Sequence, residues 1–332
     1  MSTMKPKVLV ARAIFPEVVA RLGEYFEVED NPADTVYTKA ELTRRLHGKA
    51  GAFTTGSERI DAEVLEANPQ LKAVCNMAVG YNNFDVPACT ARGVLCTNTP
   101  DVLTETTADF GFALMMAAAR RIAESEHALR RGEWTKWSYD MFTGSDVHGA
   151  TLGILGMGRI GQAIARRGAH GFGMRVIYHN RSRLDATIEA DLRARYVSKD
   201  ELLARADHLV LVLPYSAASH HAIGAAELAK MKPSATLTNL ARGGIVDDAA
   251  LARALAARQI AAAGLDVFEN EPALDPALLT VPNVVLTPHI ASATVATRRA
   301  MADLAADNLI AALGFGPDAG RPPSPLNPEV LG

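Results

Sequence analysis

The chain is short of the features that mark extracellular, membrane-borne or nucleic-acid-bound proteins. Its three cysteines, Cys75, Cys89 and Cys96, form no even set and no CxxC pair, and no histidine stands near them at zinc-ligand spacing. A disulfide framework is thereby excluded, and they read as reduced, structural thiols. No stretch approaches about 18 uninterrupted apolar residues, and the start of the chain has no apolar core followed by a small-residue cleavage site. The expectation is therefore a chain without a membrane partner that stays in the cytoplasm. An excess of one charge is missing as well: 34 Lys and Arg face 37 Asp and Glu, a formal net charge of −3. That leaves no whole-protein field to draw in a polyanion, so nucleic acid is not an expected partner. Internal repeats and low-complexity blocks are absent too.

What remains is the composition of a folded protein, with 48% apolar and 21% charged residues, enough to build a core. At 332 residues one core would be stretched, and two domains are the natural arrangement. Residues 7–11 form a short β-branched run followed by apolar residues at helical spacing over 15–25. The pattern recurs with strands at 51–55 and 71–77 and a helix from an Asp61 cap to Asn68. A long helical pattern runs from Val102 to about Gly132. A loop over 133–149 follows, and from Thr151 a new β-α series continues to about Ile290. A second helix spans 292–313 and leads into a Gly/Pro-rich tail, 314–332, expected to be loosely held on the surface. Strands alternating with helices imply parallel sheets. The expected fold is α/β with two Rossmann-like, doubly wound domains, the second inserted into the first and joined to it by two crossing helices. Residues 1–103 plus 291–332 make one domain and 104–290 the other, with a cleft between them.

The strongest local signal is Gly156-Met-Gly158-Arg159-Ile160-Gly161, preceded by the apolar strand Thr151–Leu155 and followed by a helical pattern. Gly156 permits a tight turn, Gly158 lets the backbone approach a pyrophosphate, and Gly161 lets helix and strand pack closely; the helix start offers unpaired N–H groups to the phosphates. With both flanks correct the motif predicts a dinucleotide site. About 20 residues further on, where an NAD site places Asp or Glu against the ribose, stand Asn180-Arg181-Ser182-Arg183. No carboxylate repels a 2′-phosphate there and guanidinium groups stand ready to grip one, so NADP (NADPH) is expected to be preferred, with NAD also possible. The competing reading makes Arg181 and Arg183 a solvated loop.

Four segments together resemble the D-isomer-specific 2-hydroxyacid dehydrogenases. They are Val79-Gly80-Tyr81-Asn82-Asn83-Phe84-Asp85, the glycine fingerprint, Asn239-Leu-Ala241-Arg242-Gly243-Gly244-Ile-Val-Asp247, and Gly264-Leu-Asp266-Val-Phe-Glu-Asn-Glu271-Pro272 with Thr287-Pro288-His289-Ile-Ala-Ser292. Within the family the chain is similar to the glyoxylate/hydroxypyruvate reductases that also act as 2-ketogluconate reductases, by Val102–Asp109, Gly132-Glu-Trp134-Thr and Gly144–His148. The resemblance implies an enzyme that reduces a small 2-keto acid (glyoxylate, hydroxypyruvate or 2-ketogluconate) to its D-2-hydroxy acid. It implies Arg242 as the cation that binds the substrate carboxylate and polarises the keto oxygen, His289 as general acid and Glu271 as the carboxylate that holds the imidazole. That chemistry suits hydride arrival, which builds negative charge on the keto oxygen. Taken singly, each of the three has a structural reading: a satisfied core histidine, a surface charge, a turn residue.

Further positions follow from the same resemblance. Val79 and Gly80 match the backbone loop that receives the substrate carboxylate, and Thr107, Leu213, Pro214, Ala241 and Asp266 match cofactor contacts. Ser292 reads either as a substrate contact or as the N-cap of the second helix. Trp134, Trp137, Met141 and Phe142 match a segment at a homodimer interface, or else form a local apolar cluster. Two alternatives stay open: another member of the family, such as phosphoglycerate or formate dehydrogenase, and a nucleotide-sensing corepressor on the same fold.

Overall fold

The computed structural model describes residues 4–331. It divides into two compact units: one runs to Leu103 and resumes at Thr294, and the other spans Thr104–Ala293.

In the first unit the chain order is β1 (Lys7–Val10), α1 (Pro16–Tyr25), β2 (Glu27–Glu29), α2 (Lys39–Arg45), β3 (Gly51–Thr54), α3 (Ala62–Ala67), β4 (Ala73–Asn76), α4 (Val86–Ala91) and β5 (Leu95–Thr97). The strands lie in the order β2-β1-β3-β4-β5, all parallel. Apart from edge strand β2, their short apolar runs are buried on both faces, as a sheet covered by helices requires. Thr38, Asp61 and Asp85 start three of the helices by accepting a backbone N–H three residues on. β2 and α2 carry too few apolar residues to show a period, which is why the sequence pattern passes over them. All three cysteines are free and buried in this unit; burial pushes the Cys75 thiol up to about 12, which keeps it protonated and unreactive.

The second unit begins with α5 (Thr104–Ala119) and α6 (Ile122–Arg130). It continues with β6 (Thr151–Leu155), α7 (Arg159–Arg166), β7 (Arg175–His179), α8 (Ala186–Asp191), β8 (Ala194–Tyr196), α9 (Lys199–Arg205), β9 (His208–Leu211), α10 (Ala225–Leu228), β10 (Thr236–Asn239), α11 (Asp248–Ala256), β11 (Ala262–Leu265) and β12 (Val284–Leu286). Its seven strands lie in the order β12-β11-β10-β9-β6-β7-β8, again all parallel. The order reverses between β6 and β9, the switch point at which such sheets take their ligands. Alternation along the strands feeds two cores: Leu209 and Leu211 pack on one face, while Val210 joins Leu152 and Ile154 on the other.

Three expectations are corrected. The single helix from Val102 to Gly132 is two helices. The Ala119 carbonyl accepts the Ser145 N–H at 2.9 Å instead of continuing the ladder, and Arg121 turns the chain with φ 53°. The last helix, α12 (Val295–Ala312), is capped by Thr294, whose side chain accepts the Thr297 N–H, and not by Ser292. The tail is not loose. Pro325 bridges Thr97, the Leu326 N–H donates to the Cys96 carbonyl, and fully buried Asn327 accepts the Cys96 N–H at 2.8 Å and donates to the Val94 carbonyl at 2.9 Å. β5 is an edge strand with an unpaired side, and the tail covers it. No helix among the described residues is long and apolar enough to cross a membrane.

Candidate active site

The glycine turn, Asn180–Arg183, Leu213–Pro214, Ala241–Arg242, Asp266, Glu271 and His289 all follow the carboxyl ends of strands of the second unit. At the end of β6, Gly156 takes φ 101° and its N–H donates to the His179 carbonyl at 3.1 Å. A Cβ there would meet the backbone of Val212 and Leu213 at 2.7–2.8 Å, and one at Gly161 would sit 2.3 Å from the Gly156 oxygen, so a side chain at either position would push strand, turn and helix apart. Gly158, by contrast, faces open space and begins α7 with no side-chain cap. The first-turn N–H groups are thus left available, a donor set that fits a pyrophosphate. Arg159 lies exposed at the first helical position, while Ile160 packs on the core below.

Asn180, beyond β7, spends its carboxamide oxygen on the Met157 N–H at 2.7 Å and so fixes the glycine turn. The two arginines that follow differ. Arg183 is committed to Glu189, with three contacts of 2.6–3.1 Å. The Tyr178 hydroxyl also donates to Glu189, at 2.7 Å, and in turn accepts the Leu184 N–H. The hydrogen bonds from Arg183 and then Tyr178 hold the Glu189 carboxyl below the usual range. Arg181 is exposed, as is Ser182, and its guanidinium makes no ion pair among the described residues.

Arg242 follows β10. Its turn is tied by Asn239, which accepts the Ala241 N–H and donates to the Arg242 carbonyl, while Arg242 Nη1 donates to the Ala241 carbonyl at 2.7 Å. Burial draws its pKa down and the charge of Glu271 opposes that; a guanidinium starts so high that it remains a cation. A Cβ at Gly243 would fall 1.7 Å from the Phe268 carbonyl oxygen. Only glycine lets the loop after β10 lie against the loop after β11, which carries Glu271.

Glu271 Oε1 accepts the Phe268 N–H and Oε2 meets His289 Nδ1, both at 2.8 Å. Burial pushes the Glu271 carboxyl up, but the His289 hydrogen bond and charge, the Phe268 N–H and Arg242 together bring it below the ordinary range. The ring nitrogen of His289 facing Glu271 therefore carries the proton, and Nε2 is the nitrogen turned away from that carboxylate. His289 itself stands at φ 55°, with its N–H donating to the carbonyls of Asp266 and Thr287. Fully buried Asp266 braces the turn: its carboxylate accepts Ile290 N–H, Ala291 N–H and the Thr287 hydroxyl at 2.7–2.9 Å. Burial nevertheless raises the Asp266 pKa.

A glycine turn at the switch point and a His–Glu pair near a half-buried arginine agree with the comparison to known proteins. Residues 112–291 match the family described as D-isomer specific 2-hydroxyacid dehydrogenase, NAD binding domain. The chain belongs to this family. It is 48% identical over 332 residues to a glyoxylate reductase from Thermococcus onnurineus (strain NA1), with 99% of this chain and 98% of the relative covered. It is 48% identical over 314 residues to glyoxylate/hydroxypyruvate reductase B from Klebsiella pneumoniae (strain 342), with 93% and 96% covered. Among solved structures, that of an NADPH-dependent glyoxylate/hydroxypyruvate reductase from Sinorhizobium meliloti, in complex with NADP and malonate, superposes with a TM-score of 0.85 at 38% identity over 98% of both chains.

Other positions of this dehydrogenase fall as follows. Thr107 is buried in the first turns of α5, Leu213 and Pro214 follow β9, and Ala241 is buried beside Arg242. Ser292 is half-buried one residue past the Asp266-braced turn. Val79 and Gly80 lie in the first unit, in a loop whose carbonyls are held by Asn98 and Asn76. Sequence reasoning missed Asp248, Thr287 and the Phe268 N–H. Asp248 is buried, braces the Glu269 N–H at 2.9 Å, and is pushed up by burial to about 6. It follows Asp247, the N-cap of α11, and two acids at a helix start read as capping alone.

Proposed function

We propose that this dehydrogenase is an NADPH-preferring reductase of small 2-keto acids, glyoxylate and hydroxypyruvate first and 2-ketogluconate as a larger alternative, giving the D-2-hydroxy acid. The observation that carries the reading is the Glu271–His289 pair at 2.8 Å with the charge of Arg242 acting on the same carboxylate, in a chain whose relatives are named for those substrates. The nicotinamide supplies hydride to the keto carbon. Arg242 anchors the substrate carboxylate and draws charge toward the keto oxygen. His289 Nε2 gives its proton to that oxygen as charge grows there, and Glu271 stabilises the imidazolium beforehand. A fixed cation and a positioned acid both act more strongly in the transition state than in the ground state. Gly156, Gly158 and Gly161 with the start of α7 hold the pyrophosphate, and Arg181 with Ser182 grips the 2′-phosphate; Asp266 reaches the cofactor through the turn it braces.

Steady-state reduction of glyoxylate, hydroxypyruvate and 2-ketogluconate, each with NADPH and NADH, tests this. The expected result is turnover of at least the two smaller acids, with a higher kcat/KM for NADPH. Cofactor binding without turnover of any keto acid would favour a nucleotide-sensing corepressor instead, and turnover confined to phosphohydroxypyruvate or to formate oxidation would favour those branches of the family.

A further inference from the structure

Apart from the His289–Glu271 pair, one cluster among the described residues has metal-ligand chemistry. His220, His221 and Glu269 each offer a ligand atom, and the three atoms lie within 4.8 Å of one another. The loop after β9 delivers both histidines and the loop after β11 delivers the carboxylate. His221 stands at φ 48°, a conformation that side chains of this kind seldom adopt. It is held there by its N–H, which donates to the Gly244 carbonyl at 2.7 Å. The two imidazoles stack with centroids 3.9 Å apart, and His221 Nε2 meets Glu269 Oε1 at 2.9 Å.

The surroundings brace each ligand. Tyr215 Oη hydrogen-bonds His220 Nδ1 at 3.2 Å, orienting that ring while its Nε2 has no hydrogen-bond partner among the described residues. A Cβ at Gly244 would come within 3.0 Å of the Tyr215 ring and 3.4 Å of His220 Nδ1, so the glycine makes room for this pair. The Glu269 N–H is fixed by buried Asp248. Metal-binding histidines characteristically have such hydrogen-bonded support.

We propose that His220, His221 and Glu269 form a site for a borderline-soft divalent transition-metal ion of the Zn²⁺ class. Two imidazoles and one carboxylate with a fourth position open to solvent is a ligand set that zinc accepts. Calcium and magnesium demand more oxygen ligands than one carboxylate supplies. Ligand atoms around a tetrahedral zinc stand about 3.4 Å apart. The His221–Glu269 contact therefore opens slightly and the exposed His220 ring swings inward, movements of side chains on a fixed backbone. The site is separate from the reducing pair, although Glu269 lies two residues from Glu271.

Tag-free protein, stripped with a chelator, would be titrated with ZnCl₂ by calorimetry and with CoCl₂ by visible absorption, alongside His220→Ala, Glu269→Gln and His289→Ala. The expected result is one ion per chain with a dissociation constant in the micromolar range or below. His220→Ala and Glu269→Gln should each weaken binding at least tenfold, and His289→Ala should bind as the parent does. His220→Ala keeps the His221–Glu269 contact, and unchanged NADPH binding by each variant reports an intact fold. Absence of saturable binding in the parent would overturn the site, as would binding that survives His220→Ala and Glu269→Gln or disappears in His289→Ala.

Discussion

The imidazole of His289 is aimed by residues outside its own segment: Glu271 from the loop after β11 takes its Nδ1, and Asp266 holds the turn on which it stands. His289, Glu271 and Arg242 could be singled out in the sequence because each sits in a short motif with its own spacing. The brace could not, because a buried carboxylate that accepts two N–H groups and a hydroxyl across more than twenty residues leaves no local pattern. This geometry fixes a charge effect. Glu271 titrates below the ordinary carboxylate range and is anionic at neutral pH, so it meets the ring through a charge-assisted hydrogen bond. Glu271→Gln keeps the shape and removes the charge, and should lower kcat for keto-acid reduction about tenfold or more while KM changes little; an unchanged kcat would remove Glu271 from the proton path. His289→Ala should lose on the order of a hundredfold or more in turnover while fluorescence titration shows NADPH bound as before.

Strands and long helices with a period were readable, whereas β2, the break between α5 and α6 and the docking of the tail were not. In each of these cases a contact distant in sequence outweighs local propensity. Proline-rich residues 321–328 look like a surface tail, yet Asn327 pairs with β5 through its side chain where a ladder is unavailable. Asn327→Ala leaves the buried Cys96 N–H and Val94 carbonyl without partners and should cost about 1–3 kcal/mol in denaturant unfolding. The loop after β7 allows a sharper test, because Arg183 is neutralised by Glu189 while Arg181 is free to meet a phosphate. Arg181→Asp should lower kcat/KM for NADPH at least tenfold, leave kcat with NADH near that of the parent, and so reverse or narrow the preference. Arg183→Ala, by this reasoning, changes selectivity less than Arg181→Asp. At the start of α11, Asp248 has a folded pKa of about 6 against an ordinary 3.8. The folded state thus binds more protons than the unfolded chain between those values, and stability declines as pH rises through that window. Asp248→Asn should raise stability at pH 7 by of order 1–3 kcal/mol, with the gain vanishing near pH 4 in paired thermal melts.

Two units with their own parallel sheets and cores account for the length of the chain, but one stretch of surface remains that neither core covers. Trp134, Trp137 and Tyr139 are 58%, 76% and 84% exposed, and Ile122, Leu129 and Met141 add further apolar surface on the same part of the chain. The reading of this segment as a local apolar cluster is disfavoured, because the rings project into solvent instead of packing together. The sequence marked these residues but could not tell burial within the chain from burial by a partner, since both produce the same apolar composition. Large aromatics exposed close together are uncommon on a lone chain and are enriched at interfaces, where they bury much area at little entropic cost. A symmetric homodimer that covers the segment with its own copy satisfies this with a single interface. Sedimentation velocity at micromolar concentration should therefore give a particle of twice the 35.3 kDa chain. The double variant Trp134→Asp, Trp137→Asp introduces a charge at each exposed ring, and should sediment as a monomer with an unchanged far-ultraviolet circular dichroism spectrum. A parent that sediments as a monomer under these conditions, or a double variant that stays dimeric, would place the interface elsewhere and leave these rings without a role in assembly.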